Sequence, residues 1–276
     1  MKNIRIDYHT GTGSAKLVAE LLANKLKTNN INVEVNRIIR ANINDIQELN
    51  VDYYILIFPV HSFNAPQPVY EWVKHLAGNC CKTAVISVSG GGDVLSNSAS
   101  RVKTVKLLKK SNFNVIFEEM IRMPNNWMKA PGKEKYTNIL SKLPDKIDTV
   151  SQAILTEKKQ KKMVYWIDYL ISALGESEKQ GAHKFGNGIK VLESCNGCGI
   201  CAKNCCSSNI IMENEKPKIG TRCDMCLGCV YNCPQKALQP TWGAFQIDKK
   251  GYDLRLMCKN ANLDSKFYPT IQISTP

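Results

Sequence analysis

Eight of the chain's twelve cysteines form two copies of one spacing. Cys195, Cys198, Cys201 and Cys205 read C-x2-C-x2-C-x3-C. Cys223, Cys226, Cys229 and Cys233 repeat that pattern, and Pro234 follows the last. A cubane of iron and sulfide needs four soft thiolates converging on it. The tight part of each run supplies three, and in runs of this type the fourth comes from the other copy. On that reading Cys195, Cys198, Cys201 and Cys233 hold one [4Fe–4S] cluster, and Cys223, Cys226, Cys229 and Cys205 hold a second. Gly197, Gly199 and Gly228 let the backbone close around sulfur and direct N–H groups at it. Pairs of C-x2-C also bind zinc, but zinc sites use two pairs, not two quartets related by one shift. Cys206 stands where the second copy has Pro234. It is either a spare thiol or a competitor of Cys205, and the register of the repeat favours Cys205. Cys80, Cys81 and Cys258 have no partner spacing and read as buried structural thiols.

A second group of residues suits an anion. Thr10, Gly11, Thr12, Gly13 and Ser14 fall between a strand-like segment and a helix-like one. Their amides and hydroxyls, with the positive end of a helix, can hold a phosphate dianion. The loop is not the G-x4-G-K-[ST] phosphate loop, and it lacks the third glycine of the dinucleotide turn G-x-G-x-x-G.

The elements around these residues follow from hydrophobic period. Residues 3–8 alternate apolar and polar, and Leu17, Val18, Leu21, Leu22 and Leu26 recur at helical spacing. Val33–Ile38, Asp52–Pro59, Thr83–Ser89 and Val115–Ile121 read as further strands. The continuous apolar runs DYYILIFP and TAVISVS fit strands buried on both faces. Pro66–Leu76, Ser96–Lys110 and Tyr136–Leu155 read as helices between and after them. Five strands alternating with helices predict a doubly wound five-stranded parallel α/β sheet. Lys158, Lys159, Lys161 and Lys162 precede Met163, Trp166, Ile167, Leu170, Ile171 and Leu174, which share one helix face. The expectation is that this face packs on the α/β unit. Docking on an anionic membrane surface is the alternative. Gly175 to Gly188 reads as a linker. The resulting division is 1–155 for the α/β unit, 156–188 for helix and linker, 189–240 for the cysteine unit and 241–276 for a C-terminal extension.

These motifs carry two resemblances. About residues 190–240 resemble bacterial two-cluster ferredoxins, which implies a small α+β ferredoxin-like domain with two [4Fe–4S] clusters. About residues 1–150 resemble flavodoxins, whose phosphate loop is typically a hydroxyl residue followed by G-T-G-N-T. Here Ser14 and Ala15 stand where Asn and Thr usually do. The resemblance implies FMN, with Thr10 to Ser14 on its phosphate. It also implies two ring loops, Pro59, Val60, His61, Ser62, Phe63 and Asn64 after the third strand, and Ser89, Gly90, Gly91, Gly92 and Asp93 after the fourth. Both fall at carboxyl ends of strands, where such sheets bind ligands. The order of parts, with Met123-Pro124-Asn125-Asn126-Trp127, resembles the EFR1-type ferrodoxin family, a flavodoxin-like domain fused to a two-cluster ferredoxin domain. That implies that Asn125, Asn126 and Trp127 border the flavin. Trp127 could stack on the ring or be a core tryptophan, and His61 is a candidate proton relay.

The function expected from these residues is electron transfer between FMN, two [4Fe–4S] clusters and an external redox partner. The competing expectation is an FMN-dependent reductase of a small organic substrate, fed by its own clusters. No paired acid–base constellation is visible, so catalytic residues are not assigned. The formal charge of +13 suits an acidic partner protein steered in by the field. No nucleic-acid-binding pattern is present. No apolar stretch is long enough to span a bilayer, and no signal-peptide pattern opens the chain, which with the cysteine usage predicts a cytoplasmic protein. A homodimer is one arrangement that could bring clusters and flavin together. Two separate units would also mean that a bulky residue at Gly11 removes flavin but leaves the clusters intact.

Overall fold

The computed structural model of the chain describes residues 2–45, 49–94, 97 and 99–263. Five strands, β1 (Asn3–Tyr8), β2 (Asn32–Arg37), β3 (Tyr53–Pro59), β4 (Lys82–Ser89) and β5 (Asn114–Arg122), form one sheet. All neighbours are parallel and the order is β2-β1-β3-β4-β5. This is the flavodoxin-like doubly wound order, whose switch point lies between β1 and β3. Along β3 the side chains alternate between faces. Tyr53, Ile55 and Ile57 enter one core with α1 (Ser14–Lys27) and α5 (Leu143–Leu155). Tyr54, Leu56 and Phe58 enter the other, with α2 (Gln67–His75) and α3 (Val102–Lys110). A strand buried on both faces needs this unbroken apolar run. Each fully buried aliphatic side chain there contributes about 1.5–3 kcal/mol.

The helical segment expected over 136–155 is two helices, α4 (Lys133–Ser141) and α5. Lys142 ends one and Pro144, in the first turn of the other, starts the next. Within the helix expected over 96–110, residues 96 and 98 lie outside the described residues, and α3 begins at Val102 after a 3-10 turn at Ala99–Arg101.

The stretch after α5 departs from expectation. One helix, α6 (Trp166–Asn187), runs unbroken through 175–187, the span read as a linker. Asp168 caps it by accepting from the backbone N–H of Tyr165 at 2.9 Å. Its contacts are inverted. Asp168, Ser172 and Gly175 are buried, whereas Trp166, Tyr169, Leu170 and Leu174 are exposed. Of the apolar face expected to pack on the α/β unit, only Ile167 and Ile171 are half-buried; Met163, Trp166, Leu170 and Leu174 are exposed. Polar groups on the buried side are paired: Ser172 Oγ donates to Asn64 Oδ1 at 2.6 Å, and Asn64 Nδ2 donates to the Ser172 carbonyl at 2.8 Å.

Residues 189–240 build two antiparallel pairs, β6 (Ile189–Val191) with β9 (Leu238–Pro240), and β7 (Ile210–Glu213) with β8 (Lys216–Ile219). Two short helices, α7 (Ile200–Asn204) and α8 (Gly228–Tyr231), pack on each other. The cysteine repeat extends to the backbone. Gly199 and Leu227, which precede the two helices, sit at φ 70° and 62°, and Ser208 and Lys236 both sit at 48°. A small core of Phe185, Ile189, Leu227 and Leu238 closes this region, so the end of α6 belongs to it. Residues beyond 240 return to the α/β unit. Tyr252, Leu254, Met257, Cys258 and Leu263 enter its first core, with α9 (Leu254–Asn260) against α4. Of the cysteines read as buried thiols, Cys258 is buried, Cys81 is half-buried and Cys80 is exposed. Among the described residues no helix is long and apolar enough to cross a membrane.

Candidate functional site

At the carboxyl ends of β1, β3, β4 and β5 lies a cavity of ≈ 750 Å³, within the usual range for cofactor sites. Thr10, Gly11, Thr12 and Ser14 line it from the loop after β1. The whole segment from Pro59 to Asn64 lines it after β3, Ser89, Gly90 and Gly91 after β4, and Asn125, Asn126 and Trp127 after β5. Gly13, Gly92 and Asp93, expected beside the cofactor, are not in the lining. Gly13 takes φ 102° at the start of α1, a conformation that glycine adopts without strain. The Asp93 carboxylate lies 3.9 Å from Arg101. Trp127 is 43% exposed, so it is a rim residue and not a core one.

Each loop is held by groups from elsewhere. In the first, Thr10 Oγ1 accepts from the Gly13 amide at 3.1 Å, and Asn126 Nδ2 donates to Thr12 Oγ1 at 2.8 Å. Ser14 Oγ lies 3.1 Å from Tyr252 OH, which donates to the Pro124 carbonyl at 3.2 Å. The second loop is a four-residue turn. His61 and Asn64 exchange both backbone hydrogen bonds at 2.8 Å, with Ser62 at φ 47° and Phe63 at 59°. Two successive non-glycine residues in the left-handed region cost free energy, and such strain concentrates at ligand sites. Gly175 of α6 lies directly under the turn, where a Cβ would overlap the Ser62 carbonyl oxygen. In the third loop, Asn97 Nδ2 and the Gly91 amide both donate to Ser89 Oγ, at 2.9 and 3.2 Å.

The opposite wall is the cysteine unit. Residues Arg222 to Leu227 line the cavity, as do Gly175, Ala182 and His183 of α6. The contact is close: a Cβ on Gly11 would lie 2.5 Å from the Cys226 carbonyl oxygen and 3.1 Å from its sulfur, and one on Gly228 would lie 2.6 Å from the Gly11 carbonyl oxygen. A bulky residue at Gly11 would therefore meet Cys226 as well, against the expectation that it leaves the cysteine unit untouched. Arg40, Lys135 and Arg222 bring positive charge to the lining, while Arg40 pairs with Glu71 through two hydrogen bonds, at 2.5 and 2.6 Å. Burial pushes the His61 imidazolium down, against the pull of Asp224. Burial also drives His9 well below its usual value, aided by His61, Arg37 and Arg40. Sequence reasoning named Cys223 and Cys226 as cluster ligands but missed that they and their neighbours wall this cavity, because they come from a distant segment. The one signal was a glycine, Gly175, in the middle of an amphipathic helix.

Cys233 of the second run lies with the first three cysteines of the first run: Cys195, Cys198, Cys201 and Cys233 line one small cavity. Cys205 lies in the electrostatic neighbourhood of Cys223 and Cys229. Backbone N–H groups donate to the sulfurs in matching positions, Asn209 to Cys205 and Ala237 to Cys233, each at 3.3 Å. Met225 donates to Cys223 at 3.3 Å. Among the described residues no three Cys, His, Asp or Glu side chains converge tightly enough for a single ion. Cys206 turns the other way. It is fully buried, its thiol donates to the Thr10 carbonyl at 2.8 Å, and Arg37 donates to its sulfur at 3.2 Å. Arg37 also bonds the Asn204 carbonyl at 2.9 Å, and the Arg40 amide donates to the Cys206 carbonyl at 2.8 Å. The residue that breaks the repeat therefore fastens the cysteine unit to the phosphate-type loop.

No known family model matches the chain, and no curated protein does. Among solved structures it is similar to general stress protein 14 in complex with FMN from Treponema denticola, at 12% identity over 55% of this chain and 98% of that one, with a TM-score of 0.39. It is similar to a flavoprotein in complex with FMN from Lactobacillus acidophilus, at 16% identity over 44% and 93%, TM-score 0.35. A flavodoxin from the domain Archaea matches at 11% identity over 54% and 98%, TM-score 0.34. At these identities and TM-scores the likenesses say nothing of this chain's activity. Its fold class rests on the strand order.

Proposed function

We propose that the chain is an electron-transfer flavo-iron–sulfur protein, with an FMN unit over 1–155 and a two-cluster ferredoxin-like unit over 189–240. The observation that carries this reading is the shared wall: the cavity bounded by the loops after β1, β3, β4 and β5 is closed by Arg222 to Leu227, with Cys226 on Gly11. Bound here, FMN and the clusters would supply the exchange between paired and single electrons.

The chain's own residues fit these groups. Thr10, Thr12 and the start of α1 suit a phosphate, with Arg40, Lys135 and Arg222 offsetting its charge. Ala15 offers no hydroxyl and that of Ser14 faces Tyr252, so the threonines carry more of that contact than in the usual loop. The His61–Asn64 turn and Ser89–Gly91 suit the ring. Cys195, Cys198, Cys201 and Cys233 would hold one cluster. Cys223, Cys226, Cys229 and Cys205 would hold the other, nearer the flavin. Cys198 is exposed, so an external redox partner would meet the first cluster. The net charge of +13 favours an acidic one.

Anaerobic reconstitution of the full chain, with iron, sulfide and flavin counted, tests the proposal. About eight irons and one FMN per chain are expected. A preparation that binds no flavin, or saturates near one or two metals, overturns it.

A further inference from the structure

The inverted face of α6 has no function in the reading above. Trp166, Tyr169, Leu170 and Leu174 fall on one side of the helix, and Met163, Val164 and Tyr165 lead into it. All seven are exposed, with Trp166 at 74% and Met163 and Leu174 at 68%. Trp242 extends the stripe. Its ring lies over Gly181, whose position on the helix is within the same arc as Trp166 and Leu174, and a Cβ there would meet the ring at 3.6 Å. From Trp166 to Gly181 the stripe runs for about 22 Å at about 1.5 Å per residue. Lys158, Lys159 and Lys161, all exposed, precede it. On α3, which packs beside α6, Lys106, Lys109 and Lys110 are exposed as well.

Exposed apolar surface of this extent in a folded protein marks an interaction site. Its composition selects the occupant. Tryptophan and tyrosine favour the bilayer–water boundary. Lysine is depleted at protein–protein interfaces but is typical of helices lying in the headgroup layer of anionic membranes. The surface is the exposed side of a helix docked by its other side, not the lining of a described cavity. A second copy of the chain would bring the same net positive charge to the contact. We propose that α6 and its lysine-rich approach seat the protein on an anionic lipid surface, with the helix lying in the plane of the interface. The other side of the same helix contributes Gly175, Ala182 and His183 to the cavity, so seating would place the cofactor cavity within one helix diameter of the lipid, on the order of 10 Å. The inference rests on surface chemistry alone and holds with or without bound cofactors.

Flotation of the full chain with phosphatidylcholine vesicles, with and without phosphatidylglycerol, tests it. The chain is expected to float with the anionic vesicles and to be released by salt. Replacing Lys158, Lys159 and Lys161 together by Gln should weaken binding on the order of a hundredfold. Replacing Trp166, Leu170 and Leu174 by Ser should abolish it, and because these side chains are exposed the thermal midpoint should hold. Absence of flotation overturns the proposal, as does equal binding to neutral vesicles or binding by the Trp166, Leu170 and Leu174 variant. A concentration-dependent dimer that this variant converts to monomer, without lipid binding by the native chain, assigns the face to a second copy and also overturns it.

Discussion

Cys205 and Cys206 are adjacent, of one type, and opposite in what they touch. Cys205 accepts from the Asn209 amide, as its counterpart Cys233 does from Ala237. Cys206 is sealed between the Thr10 carbonyl and Arg37. The register of the repeat already favoured Cys205 as the cluster ligand. The purpose of Cys206 was not legible, because its partners Thr10 and Arg37 lie 196 and 169 positions away in the chain. The two serine variants should separate. Cys205→Ser should lower the iron content of reconstituted protein from about eight toward four or fewer. Cys206→Ser should keep about eight while costing about 1 kcal/mol in denaturant stability, the scale of one altered buried hydrogen bond. Loss of iron in Cys206→Ser with retention in Cys205→Ser would reverse the assignment.

At the scale of elements, the strands were the most legible part. A parallel sheet wrapped by helices on both faces needs unbroken apolar runs, and DYYILIFP and TAVISVS are such runs. Helix α6 was the least legible. Its apolar period signalled a helix, but period alone does not say which face is buried. That was decided by close fit at Gly175 and by the paired polar groups at Ser172 and Asn64. A Gly175→Ala substitution introduces a methyl group that overlaps the Ser62 carbonyl oxygen. Overpacking of this kind costs about 1–3 kcal/mol, despite the better helix propensity of alanine. The expected result is a lower thermal midpoint together with weaker FMN binding by fluorescence titration, because the His61–Asn64 turn shifts with the helix. An unchanged midpoint would mean that α6 does not dock on the turn.

At the scale of the whole molecule, the chain is not two units on a tether. Helix α6 passes the ring-type loop at Ser172 and Gly175 and ends in the small core of the cysteine unit, and residues beyond 240 cross back to the first core. The phosphate-type loop is the meeting point. Cys206 holds its first residue, Cys226 covers Gly11, Leu254 lies 3.5 Å from where a Cβ on Gly13 would be, and Tyr252 reaches Ser14. Gly11→Val should therefore impair flavin and cluster binding together. The expected readout is a joint fall in flavin and iron per chain and in the visible absorbance of both. Loss of flavin with full iron content would restore the picture of two independent units.

The sequence by itself determined the parallel sheet, the loops at its carboxyl end and the two-fold repeat of the cysteine spacing, because each is written in local period or in spacing between near neighbours. It did not determine which loops meet across the molecule, that Gly13, Gly92 and Asp93 fall outside the cavity lining, or which face of α6 is covered. Those depend on glycine-sized approaches between segments far apart in the chain, where the absence of one methyl group decides whether two backbones can touch. Only the tertiary structure decided them, and with them that the cavity has one wall from the α/β unit and one from the cysteine loop.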